Sequence, residues 1–280
     1  MHLSLHGLSE NEQDFLKDLP NFSIKTLIDS LPGENFSKDD FISDTIISKY
    51  YSPIEFKSKK FDEKSFSMVH LNISSLQLHI DELRTLLQIL DHPFDIIAIT
   101  ETGLTSQETL INVSISGYDF YHTETKTQKG GAAIYIKDSY ECNVLNSYTI
   151  SIENVCETLF IEIKNKKKKN LIVGCIYRHH TPIESFCKEF FKPAIQKIIK
   201  SKKMCALLGE FNINLLDYAK HNGVSNFYDL LSASGFRPPI LQPSCVRNNS
   251  ATLIDNIVIN ELSCLSNGGN ITTPISDHFM

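Results

Sequence analysis

Apolar and polar positions along this chain follow two periods. The run SFSMVHLNI (65–73) is rich in β-formers and opens a strand. SLQLHIDELRTLLQILD (75–91) then sets Leu76, Ile80, Leu83, Leu87 and Leu90 at spacings of three and four. That spacing predicts an amphipathic helix of about four turns. DIIAITET (95–102) is short, apolar and branched, a buried strand running into charge at its C-terminal end. GGAAIYIKD and TLFIEIK come close to strict alternation, and NLIVGCIYR and KMCALLGEFNI are further strand runs. Between TLFIEIK and NLIVGCIYR the lysines at 166–169 occupy an expected hairpin turn, facing water. ESFCKEFFKPAIQKIIKS (184–201) carries a second helical pattern with Pro193 expected to interrupt it, and NFYDLLSASGF a shorter one stopped by Gly235. TLIDNIVIN is a last strand before the closing TTPISDHFM. Strands alternate with two or three helices, which predicts an α/β fold. Stretches of consecutive strands argue against a purely parallel sheet and favour a two-sheet sandwich with helices on its outer faces.

Residues 1–64 have a different texture. They are rich in Ser, Asp, Glu, Lys and Asn, carry small apolar clusters such as Phe41-Ile42 and Ile46-Ile47, and close near the basic run KSKKF. They read as an N-terminal extension, partly helical or disordered, with the folded domain spanning 65–280.

Composition narrows the function classes. Of 280 residues 41% are hydrophobic, enough for a large core and too many for disorder throughout. Formal net charge is −6, so no global basic field draws the chain to nucleic acid; a polyanion must be met by a local patch or a metal ion. The seven cysteines (142, 156, 175, 187, 205, 245, 264) are dispersed, with no C-x-x-C pair, and are expected as reduced, packed thiols. The N-terminus lacks a secretory pattern, and no apolar run approaches a membrane span.

Polar residues gather where the apolar strands end. Asn72 closes SMVHLN, Glu101 closes DIIAITE, Tyr177 and Arg178 close LIVGCIYR, and Glu210 and Asn212 close ALLGEFN. Asp255 stands in TLIDNI, and Asp277 and His278 lie near the C-terminus. Any one alone reads as a turn former or a solvated edge. The whole set, each member at the close of a strongly apolar run, points to groups held by a rigid sheet and left open by loops. Asn72 and Glu101 offer hard oxygen ligands of the sort Mg²⁺ or Mn²⁺ takes. His278 suits proton transfer or stabilisation of a phosphoryl oxygen, with a carboxylate such as Asp255 to orient it. Glu210 is the candidate base for a water, and Asn212 a donor to a phosphate oxygen. No Gly-rich phosphate loop or nucleophile elbow competes, so metal-assisted phosphodiester hydrolysis is the chemistry this kit best suits.

The ordered series HLN, ITET, GGAAIYI, IYR, LLGEFN, TLIDNI and SDH resembles the endonuclease/exonuclease/phosphatase superfamily. Within it, the resemblance is to the apurinic-type endonuclease domain of non-LTR (LINE-type, jockey/CR1-like) retrotransposons, from about Ser65 to the end. The resemblance implies a four-layer α/β sandwich that nicks DNA with a divalent metal, usually Mg²⁺. It assigns Asn72, Glu101 and Asp277 to the metal site and Tyr177 to the scissile phosphate. Glu210 stands at the water-activating carboxylate, Asn212 at its companion asparagine, and Asp255 at the partner of the terminal His278. Arg178 is expected against backbone phosphate. A reverse transcriptase domain follows in full elements and is not in this sequence, and the group's site of work implies the nucleus. Three departures stand out. Glu210 replaces the group's aspartate, Ser74 replaces a basic group, and the chain stops two residues after His278, where the group's sheet normally continues. The first predicts a weakened enzyme, because about 1 Å of misplacement can cost ~10²-fold. The last predicts an unpaired edge strand. An inactive transposon remnant and a phosphatase of the same superfamily are the competing readings.

Overall fold

A computed structural model describes residues 48–61, 65–105, 112–125, 129–165, 169–247, 250–261 and 268–280. In chain order the first elements are strand β1 (Lys49–Tyr51), helix α1 (Pro53–Lys57), strand β2 (Met68–Asn72), helix α2 (Leu76–Leu90) and strand β3 (Ile96–Thr100). There follow β4 (Tyr118–His122), β5 (Ala132–Lys137), β6 (Cys142–Val144), β7 (Ile150–Ile152), β8 (Cys156–Ile163) and β9 (Leu171–Arg178). Helix α3 runs through Ile183–Phe186, Cys187–Phe191 and Lys192–Ser201; then come β10 (Met204–Glu210) and helix α4 (Asn222–Ala233). The chain closes with β11 (Cys245–Arg247), β12 (Ser250–Thr252), β13 (Asp255–Ile259) and β14 (Gly269–Ile271).

Every side chain of β3 is buried, which demands cover on both faces of its sheet. The alternation of β3 shows what the cover is. Ile96 and Ala98 join Ala132, Ile134, Leu159, Ile161, Val173, Cys175, Ala206 and Leu208 in a core between two sheets. Ile97 and Ile99 point the other way, onto Leu76, Ile80, Leu83, Leu86 and Leu90 of α2. On the far side, Phe160, Ile172, Ile176, Cys205 and Leu207 pack beneath Phe186, Phe191 and Ile195 of α3 and Phe227 and Leu231 of α4. Helix, sheet, sheet, helix: the chain is a four-layer α/β sandwich, as its sequence pattern and motif order led us to expect.

The first sheet orders β2-β3-β5-β4 and the second β13-β10-β9-β8-β6, with β7 also on β8. Within these two sheets β2 with β3 and β9 with β10 are parallel, while β3–β5, β8–β9 and β10–β13 are antiparallel. Parallel pairing brings the C-terminal ends of β2 and β3 to one rim of the first sheet, and those of β9 and β10 to one rim of the second. Among the described residues β2 pairs with β3 alone, so it is an edge of its sheet.

Several expectations meet local corrections. The extension does not end at 64: β1 pairs parallel with β14, Tyr50 donates from its hydroxyl to Pro243 O (2.9 Å), and Phe56 of α1 enters the core under α2. Residues 48–61 are therefore part of the domain body, tied in by aromatic side chains too few to show as a periodic pattern. The clusters at 41–42 and 46–47 lie outside the described residues. Pro193 does not break α3; a π turn at Cys187–Phe191 directly precedes it and absorbs the missing N–H. The hairpin between β8 and β9 forms in register Ile163 to Leu171, although residues 166–168 of its lysine run lie outside the described residues. The described cysteines are all free thiols, and Cys264 lies outside that set. No helix among the described residues is long and apolar enough to cross a membrane.

Candidate active site

Two cross-sheet pairs join the two sheets at the strand-end rim of the sandwich. Asn72, fully buried at the last position of β2, donates from Nδ2 to Glu210 Oε2 at the end of β10. Its Oδ1 accepts from the backbone N–H of Ser74 (3.1 Å), and Ser276 Oγ donates to its backbone carbonyl (2.7 Å). The second pair joins Tyr177 of β9 to Glu101, just past β3: the phenol donates to Glu101 Oε1 at 3.2 Å. Glu101 sits at φ 53°, in the left-handed region that costs a side-chain-bearing residue energy. Asn212 (φ 49°) and Ser74 (φ 54°) share that conformation, so three turns leaving strand ends carry backbone strain at this rim.

The register of the second sheet completes the cluster. Glu210 stands opposite Tyr177 on one side and Asp255 on the other. Gly209, just before Glu210, sits at φ 150°, and a Cβ there would overlap the carbonyl oxygen of Ile176. Only glycine lets β10 approach β9 this closely, which explains the glycine of the LLGEFN run. Asp255 is buried and accepts from Ser244 Oγ (2.7 Å), while its Oδ2 pairs with His278 Nδ1 at 2.8 Å. A second imidazole faces the same carboxylate: His70 Nδ1 lies 3.8 Å from Asp255 Oδ1, and His70 Nε2 hydrogen-bonds Thr100 Oγ1 (2.9 Å).

Burial and charge set distinct protonation states. Burial alone would lower His278, but the Asp255 carboxylate outweighs it and pushes the imidazole up to about 12, so it is positively charged at neutral pH. Burial opposes ionisation of Asp255 too, yet His278, with help from His70 and Ser244, holds it below the usual carboxylate range. His70 goes the other way: burial lowers it to about 4, only partly offset by Asp255, so it is neutral. Burial, reinforced by Asp255 and Glu101 and opposed by His278 and Asn72, pushes Glu210 up to about 8. Burial and the adjoining Glu101 and Glu210 also raise Tyr177 well above the ordinary phenol value, so it keeps its proton and can donate it in a hydrogen bond. Crowding of Glu101, Glu210 and Asp255 in one buried end carries an electrostatic cost that a dication would offset. An oxygen donor set of Asn72 and Glu101 fits Mg²⁺ or Mn²⁺.

The structure brings Asn72, Glu101, Tyr177, Glu210, Asp255 and His278 together, gives Arg178 and Asp277 other partners than expected, and commits part of Asn212. Arg178 is buried with its guanidinium spent on carbonyls: Nη1 on Thr181 (2.6 Å), Nη2 on Asn212 (2.7 Å) and Nε on Phe211. Strand alternation turns it toward the α3 layer, over the ring of Phe186, opposite to Tyr177. It braces the 210–212 turn and is not presented to a phosphate. Asn212 returns the contact, donating from Nδ2 to Arg178 O (2.6 Å), and its buried Oδ1 has no hydrogen-bond partner among the described residues. One amide hydrogen and one acceptor are what Asn212 has left to offer. Asp277 is half-exposed and pairs with Arg247; its Oδ1 is 3.7 Å from His278 Nε2. These contacts join Asp277 to the histidine end of the cluster, whereas Asn72 and Glu101 are bound to Glu210 and Tyr177.

Reading the chain missed three supporting groups. His70 lies inside an apolar strand run, where nothing in the run marks it off from its neighbours. Glu157 stands opposite Tyr177 in β8, buried, accepting from Thr125 Oγ1 (3.1 Å) and from the backbone N–H of Gly131. His179 packs edge-on against Tyr177, its Nε2 3.7 Å from Glu157 Oε1. The one available signal was a charged residue inside a buried strand, which names a polar site and not its partner.

No protein-family model and no curated protein matches this sequence. Solved structures match its fold. An AP endonuclease, LMAP, from Leishmania major superposes with a TM-score of 0.59 at 13% identity, covering 97% of each chain. An endonuclease/exonuclease/phosphatase family protein from Bacteroides thetaiotaomicron gives 0.54 at 15% identity, over 78% of this chain and 96% of its own. A 3'-5' exonuclease (NExo) from Neisseria meningitidis gives 0.55 at 14% identity, over 76% and 96%. The architecture is thus that of the endonuclease/exonuclease/phosphatase fold.

Proposed function

We propose that this chain is a metal-dependent endonuclease that nicks DNA by phosphodiester hydrolysis, of the kind encoded by non-LTR retrotransposons. Supporting this reading above all is one observation: Asn72–Glu210 and Glu101–Tyr177 join strand ends of different sheets beside the buried His278–Asp255 pair. Side chains as far apart in sequence as Asn72 and His278 thereby share one buried cluster. The solved structures described as an AP endonuclease and a 3'-5' exonuclease share the fold and favour DNA as the substrate.

In this reading Asn72 and Glu101 hold the divalent ion. When bound, Mg²⁺ or Mn²⁺ supplies Lewis-acid stabilisation of charge on the phosphoryl oxygens. The protein's own groups do the rest. Tyr177, locked protonated, donates to a non-bridging oxygen of the scissile phosphate. His278 keeps its positive charge through Asp255 and stabilises the extra negative charge that builds in the transition state. Glu210 accepts the proton of the attacking water in its ionised form, which the His278 charge and the Asn72 hydrogen bond favour against burial. Asn212, held by Arg178, orients the phosphate or the water with its free amide hydrogen. Arg178 is a positioning residue.

Glu210 in place of the shorter aspartate favours a reduced rate. Its carboxylate reaches Asn72 directly, tying the base to a ligand residue. The test is conversion of supercoiled plasmid to open circles by the purified chain with Mg²⁺, Mn²⁺ or chelator. Slow nicking with either metal and none with chelator is the expected result; no nicking at any protein concentration would leave the inactive-remnant reading standing.

A further inference from the structure

A second set of ligand atoms lies at the histidine end of the cluster, and it is chemically unlike the first. Cys245, at the start of β11, forms an isolated antiparallel bridge with His278, and both side chains are buried. Asp277 precedes His278 and turns outward. The Cys245 sulfur, one Asp277 carboxylate oxygen and one His278 ring nitrogen all lie within 4.8 Å of one another. His278 Nδ1 is committed to Asp255, so the nitrogen on offer is Nε2, which faces Asp277 Oδ1 at 3.7 Å. A histidine anchored through one nitrogen by a buried carboxylate, with the other nitrogen aimed at a thiol and a second carboxylate, is how proteins orient imidazole toward a metal. Ligands on a Zn²⁺ ion with bonds of 2.0–2.3 Å stand ~3.5 Å apart in a tetrahedron, so modest closure is enough. The half-exposed Asp277 can supply it by leaving Arg247, an exposed ion pair of small energetic weight.

We propose that Cys245, Asp277 and His278 form a binding site for a thiophilic dication, with Zn²⁺ as the biological occupant. It is separate from the oxygen-only set of Asn72 and Glu101. A thiolate selects Zn²⁺ or Cd²⁺ strongly over Mg²⁺, whereas Asn72 and Glu101 favour the hard ions. Binding forms three metal–ligand bonds and releases the Cys245 thiol proton and the His278 Nε2 proton to solvent; a water fills the fourth position, and no redox change occurs. An ion so placed removes the charge and the free nitrogen of His278. The site is therefore inhibitory, a consequence that rests on the endonuclease reading, while the binding itself does not.

The test uses the full chain and Cd²⁺ as a spectroscopic stand-in for Zn²⁺. Titration is expected to give one thiolate-to-cadmium charge-transfer band saturating at one ion per chain, unmoved by excess Mg²⁺. Cys245→Ser should lose the band and weaken binding at least ~10–100-fold, the penalty already seen for removing a mere outer partner of a metal ligand. A combined Cys142→Ser, Cys187→Ser and Cys264→Ser variant should keep it. A band that survives in Cys245→Ser, or none in the unsubstituted chain, overturns the proposal. Thermal melting guards against a folding defect: Zn²⁺ should raise the Tm of the unsubstituted chain and not that of Cys245→Ser, whose own metal-free Tm must match. Low Zn²⁺ should also inhibit Mg²⁺-supported nicking, with relief in Cys245→Ser. If no variant nicks DNA with any metal but the cadmium band behaves as stated, the endonuclease reading fails and the site stands.

Discussion

Replacing Asp255 with Asn tests the electrostatics of the buried cluster most sharply. The substitution keeps shape and leaves an oxygen for Ser244 Oγ, but it removes the charge that holds His278 protonated. Losing one partner of a buried ion pair costs about 3–5 kcal/mol, because the other charge stays desolvated and unpaired. At ~2–4 °C per kcal/mol for a domain of this size, Tm should fall by roughly 6–20 °C. The pH dependence has a definite sign. Asp255 titrates below its ordinary value in the folded state, so its contribution is present above the unfolded carboxylate range, near pH 4, and is lost as pH falls through the lower folded value. His278 is raised, so its contribution is full below about 6.5 and disappears only as pH rises toward about 12. Urea unfolding of the unsubstituted chain and Asp255→Asn should therefore differ by the full amount at pH 7 and converge in strong acid. The double variant Asp255→Asn/His278→Gln should cost less than the two single variants summed, because they share one interaction. A difference under about 1 kcal/mol at pH 7, or strict additivity, would refute the paired-charge reasoning.

Two further outcomes follow from particular contacts. Asp95 binds Lys137 Nζ and Tyr140 Oη (2.8 Å each) and accepts from the Ser67 amide (2.8 Å). Burial opposes its ionisation, yet these partners hold it below the usual range. Asp95→Asn should cost about 1–3 kcal/mol at pH 7, with the deficit shrinking as pH falls below 4, read by urea unfolding. Arg178→Lys should lower the nicking rate by about 10²-fold, by loosening the 210–212 turn. It should leave the salt dependence of DNA binding unchanged, whereas loss of a phosphate contact would flatten that slope by about one unit.

Much of the site was legible because rigid strands announce their ends. Asn72, Glu101, Tyr177 and Glu210 each terminate a run apolar enough to be a buried strand, and buried parallel strands finish on a shared rim. The roles proposed for them come from motif order. Arg178 was misplaced because strand alternation decides which layer a side chain enters, and a single arginine at a strand end carries no mark of that parity. His70 and Glu157 were hidden for a related reason: each contacts a residue on a strand far away in sequence, and pairing register is not visible in either strand alone. Residues 48–61 join the domain through a few aromatic side chains and a three-residue strand, a signal below the length at which periodicity shows.

The central claim is that the carboxylate at position 210 takes a proton from water within a cluster built by both sheets. Its most direct test is the Mg²⁺-supported nicking rate of supercoiled plasmid by the unsubstituted chain, Glu210→Asp and Glu210→Ala, side by side. We expect Glu210→Asp to be fastest and Glu210→Ala to fall ~10²–10⁴-fold below it, the range for loss of a general base. Equal rates in all three proteins would contradict the account.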